Sequence, residues 1–179
     1  HAVTRAVIAA VHAPLGIHTH NDAGMATAGA IEAVRAGATQ VQGTINGIGE
    51  RCGNANLCTI IPALQLKLGH RVLAPRALAG LRRLSLFAGD LLNMRHDGKA
   101  PYVGESAFAH KGGLHVNAVQ KNPRTFEHIR PELVGNQRRI LLSDGSGMSS
   151  LLLKAAEMGL DVHKDAPEAR EVLKALKDL

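Results

Sequence analysis

The residues best suited to chemistry are His18-Thr19-His20-Asn21-Asp22, which follow the apolar run at residues 14–17. The run predicts a short buried strand, and residues i and i+2 of a strand point to the same face. The imidazoles of His18 and His20 would then converge where the strand meets its loop, with Asp22 close enough to orient one of them. Two neutral nitrogen ligands backed by a carboxylate suit a divalent metal ion. Two polar residues that simply end a strand are the simpler interpretation, because this spacing alone is weak evidence.

A second polar loop, residues 46–54, contains three glycines in nine residues. Glycine lets the backbone approach a ligand closely. The loop follows a predicted strand at residues 40–44 and leads into a predicted helix at 55–68. In a barrel of such units the loops after the strands collect on one face. We therefore expect the two polar loops to be neighbours, with the side-chain oxygen of Asn54 within reach of the same metal ion.

Polar residues also concentrate at 106–115, where His110, Lys111 and His115 surround a Gly-Gly pair. Such residues can form an acid/base loop or hold an anion. A surface turn with incidental basic residues explains them as well, and on the residues alone we favour that interpretation. Gly145-Ser146-Gly147 resembles a phosphate-binding loop, although plain turn chemistry before a helix accounts for it.

Helical and strand patterns alternate through the first half of the chain. Helices at residues 1–12, 25–35 and 55–68 alternate with the two strands, an order typical of an α/β fold built from parallel crossover units. From residue 75 the pattern becomes mostly helical, and we place a boundary near 73–76. The first helix of this part is predicted to bury one face, made of Leu78, Leu81, Leu84, Ala88 and Leu91.

Composition narrows the class of protein. The 179 residues are 45% hydrophobic, and no apolar run approaches the length of a membrane span. The net charge of +6 is compatible with nucleic acid, but aromatic residues make up only 2% and leave almost nothing for bases to stack on. An anionic small molecule fits the charge at least as well. Two cysteines and no secretory leader favour reduced thiols and a cytoplasmic protein. Both ends look cut, so we expect a fragment of a longer protein.

Residues 18–22, 43–54 and 106–115 together resemble the Claisen-condensing acyltransferases, the family of isopropylmalate, homocitrate and citramalate synthases related to HMG-CoA lyases. Three long motifs occur in the right order and cover nearly the whole chain. Residues 41–44, 50–58 and 134–139 look most like the citramalate branch.

The resemblance implies an α/β fold, the C-terminal part of a TIM (β/α)8 barrel followed by mostly helical α+β subdomains. Residues 1–73 would hold the last barrel strands and helices. Residues 74–105 would form a helical linker subdomain, and 106–179 a second small subdomain that leads toward a regulatory domain absent from this chain.

Site residues carry over with the resemblance. His18, His20 and Asn54 would bind a divalent metal (Mg, Mn or Zn), and His115 would be a catalytic residue that reaches the active site of a partner subunit. A homodimer with exchanged subdomains is therefore expected. The substrate loop and the residues behind the metal ligands would comprise Asn21, Asp22, Asn46, Glu50 and Arg51. The fourth ligand (an aspartate), the arginine beside it and a catalytic glutamate lie outside the chain, so the fragment alone is expected to be inactive.

The implied reaction condenses acetyl-CoA with an α-keto acid by metal-assisted Claisen condensation and thioester hydrolysis, in isoleucine and leucine biosynthesis. Pyruvate would give citramalate, and 2-oxoisovalerate is the alternative keto acid. A non-catalytic metal-binding or dimerisation module is the alternative of another class. Two positions depart from the family pattern: Gly29-Ala30 replaces a common Asn-Ser, and Met148 replaces a common basic residue.

Overall fold

Two parallel strands organise the first part of the chain, which a computed structural model describes over residues 1–142 and 146–177. Strand β1 (Gly16–His18) pairs in parallel with β2 (Gln40–Gln42), so that Ile17 lies opposite Val41. Helix α2 (Ala26–Arg35) connects the strands, and helix α1 (Ala2–Ala10) precedes them. These elements confirm the predicted crossover unit. Because the strands are parallel, the loops that follow them leave from the same edge.

The prediction that β1 is a buried strand is wrong. Ile17 is half-buried, whereas Gly16 and His18 on either side of it are exposed. Within the described residues β1 pairs only with β2, and this two-stranded sheet leaves one face uncovered. The exposure of His18 follows directly, since it points to that open face.

Helix α3 (Leu57–Pro62) widens into a π-helical turn at Ala63–Lys67. Pro62 lacks the amide hydrogen for the helical bond to residue 58, and the widening begins directly after it. The predicted helix at 55–68 is thus present but irregular. It packs against α2 through a small-residue core, made of Ala26, Ala30, Ala55, Ile60 and Leu64.

Helices α4 (Pro75–Leu78) and α5 (Leu81–Leu91) follow, and the predicted buried face of α5 is only partly right. Leu78 and Leu81 are buried. Leu84 and Leu91, however, are 44% and 72% exposed, and the buried side of α5 consists of Leu81, Ser85 and Gly89. Small residues on this side let α5 approach the 3₁₀ turn Ile45–Gly47 of the glycine-rich loop.

A second parallel pair lies in the last part of the chain. Strand β3 (Ala109–His110) pairs with β4 (Arg139–Ile140), and helix α6 (Gly113–Lys121) follows β3. The interpretation of residues 106–115 as a surface turn is wrong at its centre, because His110 is buried in this pair. Two 3₁₀ turns, Pro123–Thr125 and Pro131–Val134, and the helices α7 (Met148–Glu157) and α8 (Pro167–Lys177) complete the fold. Gly145 of the phosphate-loop resemblance lies outside the described residues.

One hydrophobic core joins the three segments proposed from the sequence. It combines residues from before 73, between 74 and 105, and after 106, among them Cys58, Leu81, Val103, Phe108 and Val134. The segment boundaries themselves remain predictions. Across residues 1–142 and 146–177, no helix combines the length and apolar character needed to cross a bilayer.

Candidate metal centre

The two imidazoles of the His-X-His motif lie side by side at the end of β1. The ring centroids of His18 and His20 are 5.1 Å apart, and the rings are inclined at 71°. Both side chains are exposed. The strand geometry therefore brings the two imidazoles to one open edge, as the i, i+2 spacing predicts.

Backbone hydrogen bonds fasten the glycine-rich loop to this edge. The amide of Asn21 donates to the carbonyl of Gly53 at 2.8 Å, and the amide of Ala55 donates to the carbonyl of Thr19 at 3.0 Å. These bonds place His20 and Asn54 opposite each other as an isolated antiparallel bridge. The expectation that the two polar loops are neighbours is thus met by direct pairing between them.

The side chain of Asn54 is held with its oxygen unused. Its Nδ2 donates to the carbonyl of Ile48 at 3.3 Å, while Oδ1 is buried without a hydrogen-bond partner. A buried acceptor without a partner costs about 1–3 kcal/mol, so a water molecule, a ligand or an ion is expected to occupy its hydrogen-bonding position. A neutral oxygen and two imidazoles are suitable donors for a divalent cation, and the residues present fit such an ion.

The three candidate ligands, His18, His20 and Asn54, do not form a complete metal site by themselves. Among residues 1–142 and 146–177, no three His, Cys, Asp or Glu side chains form a group able to hold a metal. Two imidazoles and one amide oxygen leave room for a further anionic ligand.

Glycine is required where the loop folds back on itself. Gly53 has a φ of +87°, and a Cβ at this position would lie 2.0 Å from the carbonyl oxygen of Gly47. Any side chain here would push apart the two segments of the loop that hold Asn54 in place. The pattern of three glycines thus has a steric cause in this loop.

Asp22 is paired with Arg51 and does not orient a histidine. The Arg51 Nε lies 3.1 Å from both carboxylate oxygens of Asp22, and Nη2 donates to Oδ2 at 2.9 Å. The hydrogen bonds from Arg51 are the main reason why the pKa of Asp22 lies below its ordinary value. The same pairing raises the pKa of Arg51. This ion pair joins the loop after β1 to the glycine-rich loop, and both partners are half-exposed.

The other residues assigned to the substrate loop have different surroundings. The Oδ1 of Asn21 accepts a hydrogen bond from the amide of Ala26 at 3.2 Å, at the start of α2. Glu50 is largely exposed, and its Oε2 lies 3.5 Å from Arg51 Nη1. Neither contact contradicts a role near substrate, and both assignments remain predictions.

Asn46 anchors the glycine-rich loop to α5. Its Nδ2 donates to the carbonyl of Ser85 at 2.8 Å, and its Oδ1 accepts from the Ser85 hydroxyl at 2.5 Å. Because that hydroxyl has a single hydrogen, the Nε2 of His96, 2.8 Å from the same oxygen, must be the donor in its contact. Cys58 also contacts Asn46 Oδ1, and burial raises the pKa of its thiol. Every polar atom of the Asn46 amide is used in this anchor.

The third candidate histidine, His115, is not part of the pair formed by His18 and His20. It is exposed in the first turn of α6, and its ring centroid is 4.2 Å from that of Phe126. Among the described residues, no hydrogen bond or ring contact links it to His18 or His20. Within one chain the structure therefore does not assemble His115 with the metal ligands.

Sequence reasoning missed a buried ionic cluster in the second parallel pair. Glu127 accepts hydrogen bonds from Arg138 Nε at 2.5 Å and Nη2 at 2.7 Å, and His110 Nε2 lies 3.2 Å from Oε1. Burial raises the pKa of Glu127, but hydrogen bonds from Arg138 and His110 outweigh it, and the net pKa is lowered. The partners are 11 and 17 residues away from Glu127, so no local pattern signals them.

Comparison with known protein families shows which proteins this chain resembles. Residues 1–85 match the HMGL-like family model, and residues 102–179 match the model described as homocitrate synthase post-HMGL domain-like. Residues 1–85 are therefore similar to the HMGL-like family, whose fold is a TIM barrel, and residues 102–179 are similar to the domain described as following it in homocitrate synthases.

The similar proteins include several (R)-citramalate synthases. The chain is 56% identical to that of Synechocystis sp. over 92% of its length, and 51% identical to that of Geobacter sulfurreducens over 99%. It is 40% identical to a probable 2-isopropylmalate synthase of Methanopyrus kandleri over 99% of its length. These matches cover 30%, 34% and 35% of the respective relatives, so the chain spans about a third of their length.

Proposed function

We propose that the chain is the metal-binding and linker portion of a citramalate synthase, an acyltransferase that condenses acetyl-CoA with pyruvate in branched-chain amino-acid biosynthesis. One observation supports a metal-dependent enzyme. Oδ1 of Asn54 is buried without a hydrogen-bond partner, and Asn54 is bridged to His20. The choice of pyruvate rests on relatives. Those named (R)-citramalate synthase reach 56% identity, whereas those named as 2-isopropylmalate synthases reach 43%.

A cation held by His18, His20 and Asn54 would supply Lewis-acid chemistry, since it polarises the keto group that the acetyl-CoA enolate attacks. The chain's own residues prepare this step. The Ile48 carbonyl holds the Asn54 amide so that its oxygen stays free. Arg51 engages the carboxylate of Asp22 and so joins the loop after β1 to the glycine-rich loop.

We propose His115 as the residue that transfers a proton, in the active site of the partner subunit of a homodimer. Its exposure at the start of α6 suits a residue that acts outside its own chain. Exposed apolar side chains on α5 support an interface with another subunit. They are Leu84, Phe87 and Leu91.

The finer architecture is part of the same proposal. Residues 1–73 would contribute the last strands of the barrel, since the open face of β1 and the exposed valines of α1, Val3 and Val7, need partners. Residues 74–105 and 106–179 would be the two subdomains. Two free thiols, Cys52 and Cys58, favour the cytoplasm.

The test uses the full-length protein and measures CoA release with pyruvate and with 2-oxoisovalerate. We expect faster turnover with pyruvate, and near-complete loss of activity in His18→Ala with the fold intact. His163→Ala, at an exposed histidine of the second subdomain, is the matched control and should retain activity. Preference for 2-oxoisovalerate would reassign the substrate. Metal binding without CoA release would instead support a non-catalytic module, and unchanged activity of His18→Ala would refute the metal centre.

A further inference from the structure

Two adjacent side chains, Phe126 and Glu127, contact the residues on either side of the connection between β3 and α6. Helix α6 carries His115. The ring of Phe126 lies against the His115 imidazole, with centroids 4.2 Å apart. Glu127 Oε1 lies 3.2 Å from Nε2 of His110, the last residue of β3. Residues 111–114 lie between the two contacted histidines, and Lys111, Gly112 and Leu114 among them are exposed. The orientation of His115 is thus set from both sides by one short segment.

The Glu127 carboxylate is itself fixed. Its side chain is 2% exposed, and both oxygens accept from the guanidinium of Arg138, which precedes β4. A carboxylate can only accept, so His110 must carry its proton on Nε2. The cluster locks one tautomer of His110 and joins β3, the 126–127 segment and the approach to β4.

The segment is also anchored on the hydrophobic core. The next residue, His128, places its ring 5.0 Å from Tyr102 and 5.9 Å from Phe108, measured between centroids. The amides of Phe126 and Glu127 both donate to the carbonyl of Pro123. Because its backbone is held at both ends, the segment can serve as a rigid support for His115.

We propose that Glu127 is a positioning residue for His115: it holds the β3–α6 connection through His110 and so fixes the direction in which the His115 imidazole projects from α6. This inference rests on the proposed function, in which His115 transfers a proton. Glu127 does not contact the reacting atoms itself. Misplacement of a catalytic group by about 1 Å can cost about 100-fold in rate.

The test is a double-mutant cycle in the full-length enzyme, with kcat and KM for the keto acid as readouts. Glu127→Gln keeps the shape of the side chain but replaces one acceptor with a donor. We expect kcat to fall ~10–100-fold with KM little changed. In the background of His115→Ala the same substitution should have almost no further effect on kcat, because the group that it positions is gone. Glu171→Gln, exposed on α8, is the matched control.

A purely structural role predicts a different result, in which the losses from Glu127→Gln and His115→Ala multiply. That outcome, or wild-type kcat in Glu127→Gln, overturns the inference. Phe126→Leu provides a second arm if Glu127→Gln folds poorly, since it removes the ring contact and leaves the ionic cluster. It should show the same lack of additivity. Full activity of His115→Ala would instead refute the proposed role of His115, whereas an impaired His115→Ala with additive Glu127→Gln would refute only the positioning.

Discussion

Replacing Gly49 by alanine should displace the amide of Asn54 and weaken metal binding. A Cβ on Gly49 would lie 2.4 Å from Asn54 Nδ2 and 2.8 Å from its Cγ, whereas ordinary contacts begin at 3.4 Å. The amide must therefore move by about 1 Å. Metal–ligand distances tolerate only about 0.2 Å, so this shift removes Asn54 from a ligand position.

The expected magnitude follows from this displacement. Loss of a positioned group beside a metal costs ~10–100-fold in affinity, and a lost ligand costs at least that. We expect ~100-fold weaker binding of the divalent ion in full-length Gly49→Ala, measured by calorimetric titration of the metal-free protein. Catalytic activity should fall in parallel at limiting metal and recover in part at high metal.

Gly29→Ala is the matched control for this substitution. Gly29 lies inside α2, where a Cβ would meet only the Thr19 methyl at an ordinary 3.8 Å. Alanine there should stabilise the helix by about 0.5–1 kcal/mol and leave metal affinity unchanged. If Gly49→Ala bound the ion as tightly as the unaltered protein, Asn54 would not be a ligand and the proposed centre would be wrong.

Three further predictions concern the surroundings of the site. Ser85→Ala removes the hydroxyl that bonds Asn46 Oδ1 and His96 Nε2, leaving the Asn46 oxygen with only the weak Cys58 thiol donor, and the loss of two hydrogen bonds should lower the free energy of unfolding by about 1–3 kcal/mol in denaturant titrations of the full-length protein. The lowered pKa of Glu127 means that its contribution to stability is complete above its ordinary pKa of 4.5 and is lost as the pH falls from there through the lower folded value; acid titration of the melting temperature should show this loss. Phe87→Asp, at a side chain 60% exposed on α5, should shift the proposed dimer toward monomer in sedimentation without lowering the melting temperature of the subunit.

Each of these predictions has a control and a contradicting outcome. Ser106→Ala, at an exposed serine, should be neutral; equal stability of both serine variants would show that the Ser85 hydroxyl contributes nothing to the Asn46 anchor. In Glu127→Gln the acid-dependent loss between pH 4.5 and the folded pKa should disappear, and an unaltered acid profile would contradict the assignment. Lys174→Glu, on the exposed side of α8, changes charge elsewhere; dissociation by this variant and not by Phe87→Asp would place the interface on another face.

Local patterns predicted the elements whose causes are local. The glycines that follow α2 and α7, Gly37 and Gly159, have positive φ values of +115° and +74°, the conformation that glycine commonly adopts directly after a helix. The crossover from β1 to β2 followed from alternating periodicities. The side-by-side placement of His18 and His20 followed from strand geometry alone, since it needs no partner from elsewhere in the chain.

Features that depend on residues far apart in the chain could not be predicted from the sequence. The leucines of α5 suggested its buried face, yet Ser85 and Gly89 lie inward, because the helix approaches the backbone of the glycine-rich loop. Asp22 was expected beside a histidine, but an arginine 29 residues away competes successfully for its carboxylate. Glu127 had no recognisable role until the fold brought Arg138 and His110 to it.

The anchor between Asn46 and Ser85 has a consequence for recombining this protein with its relatives. The loop that presents Asn54 keeps its shape partly because an amide inside it is hydrogen-bonded to a helix 39 residues later. A chimera with its junction between these two positions would pair a loop from one parent with a helix from another, and the buried amide would lose its partner wherever the helix shifted. Junctions placed after residue 92, beyond the end of α5, keep both halves of the anchor in one parent. The segment from β1 to α5 is therefore best exchanged as a unit.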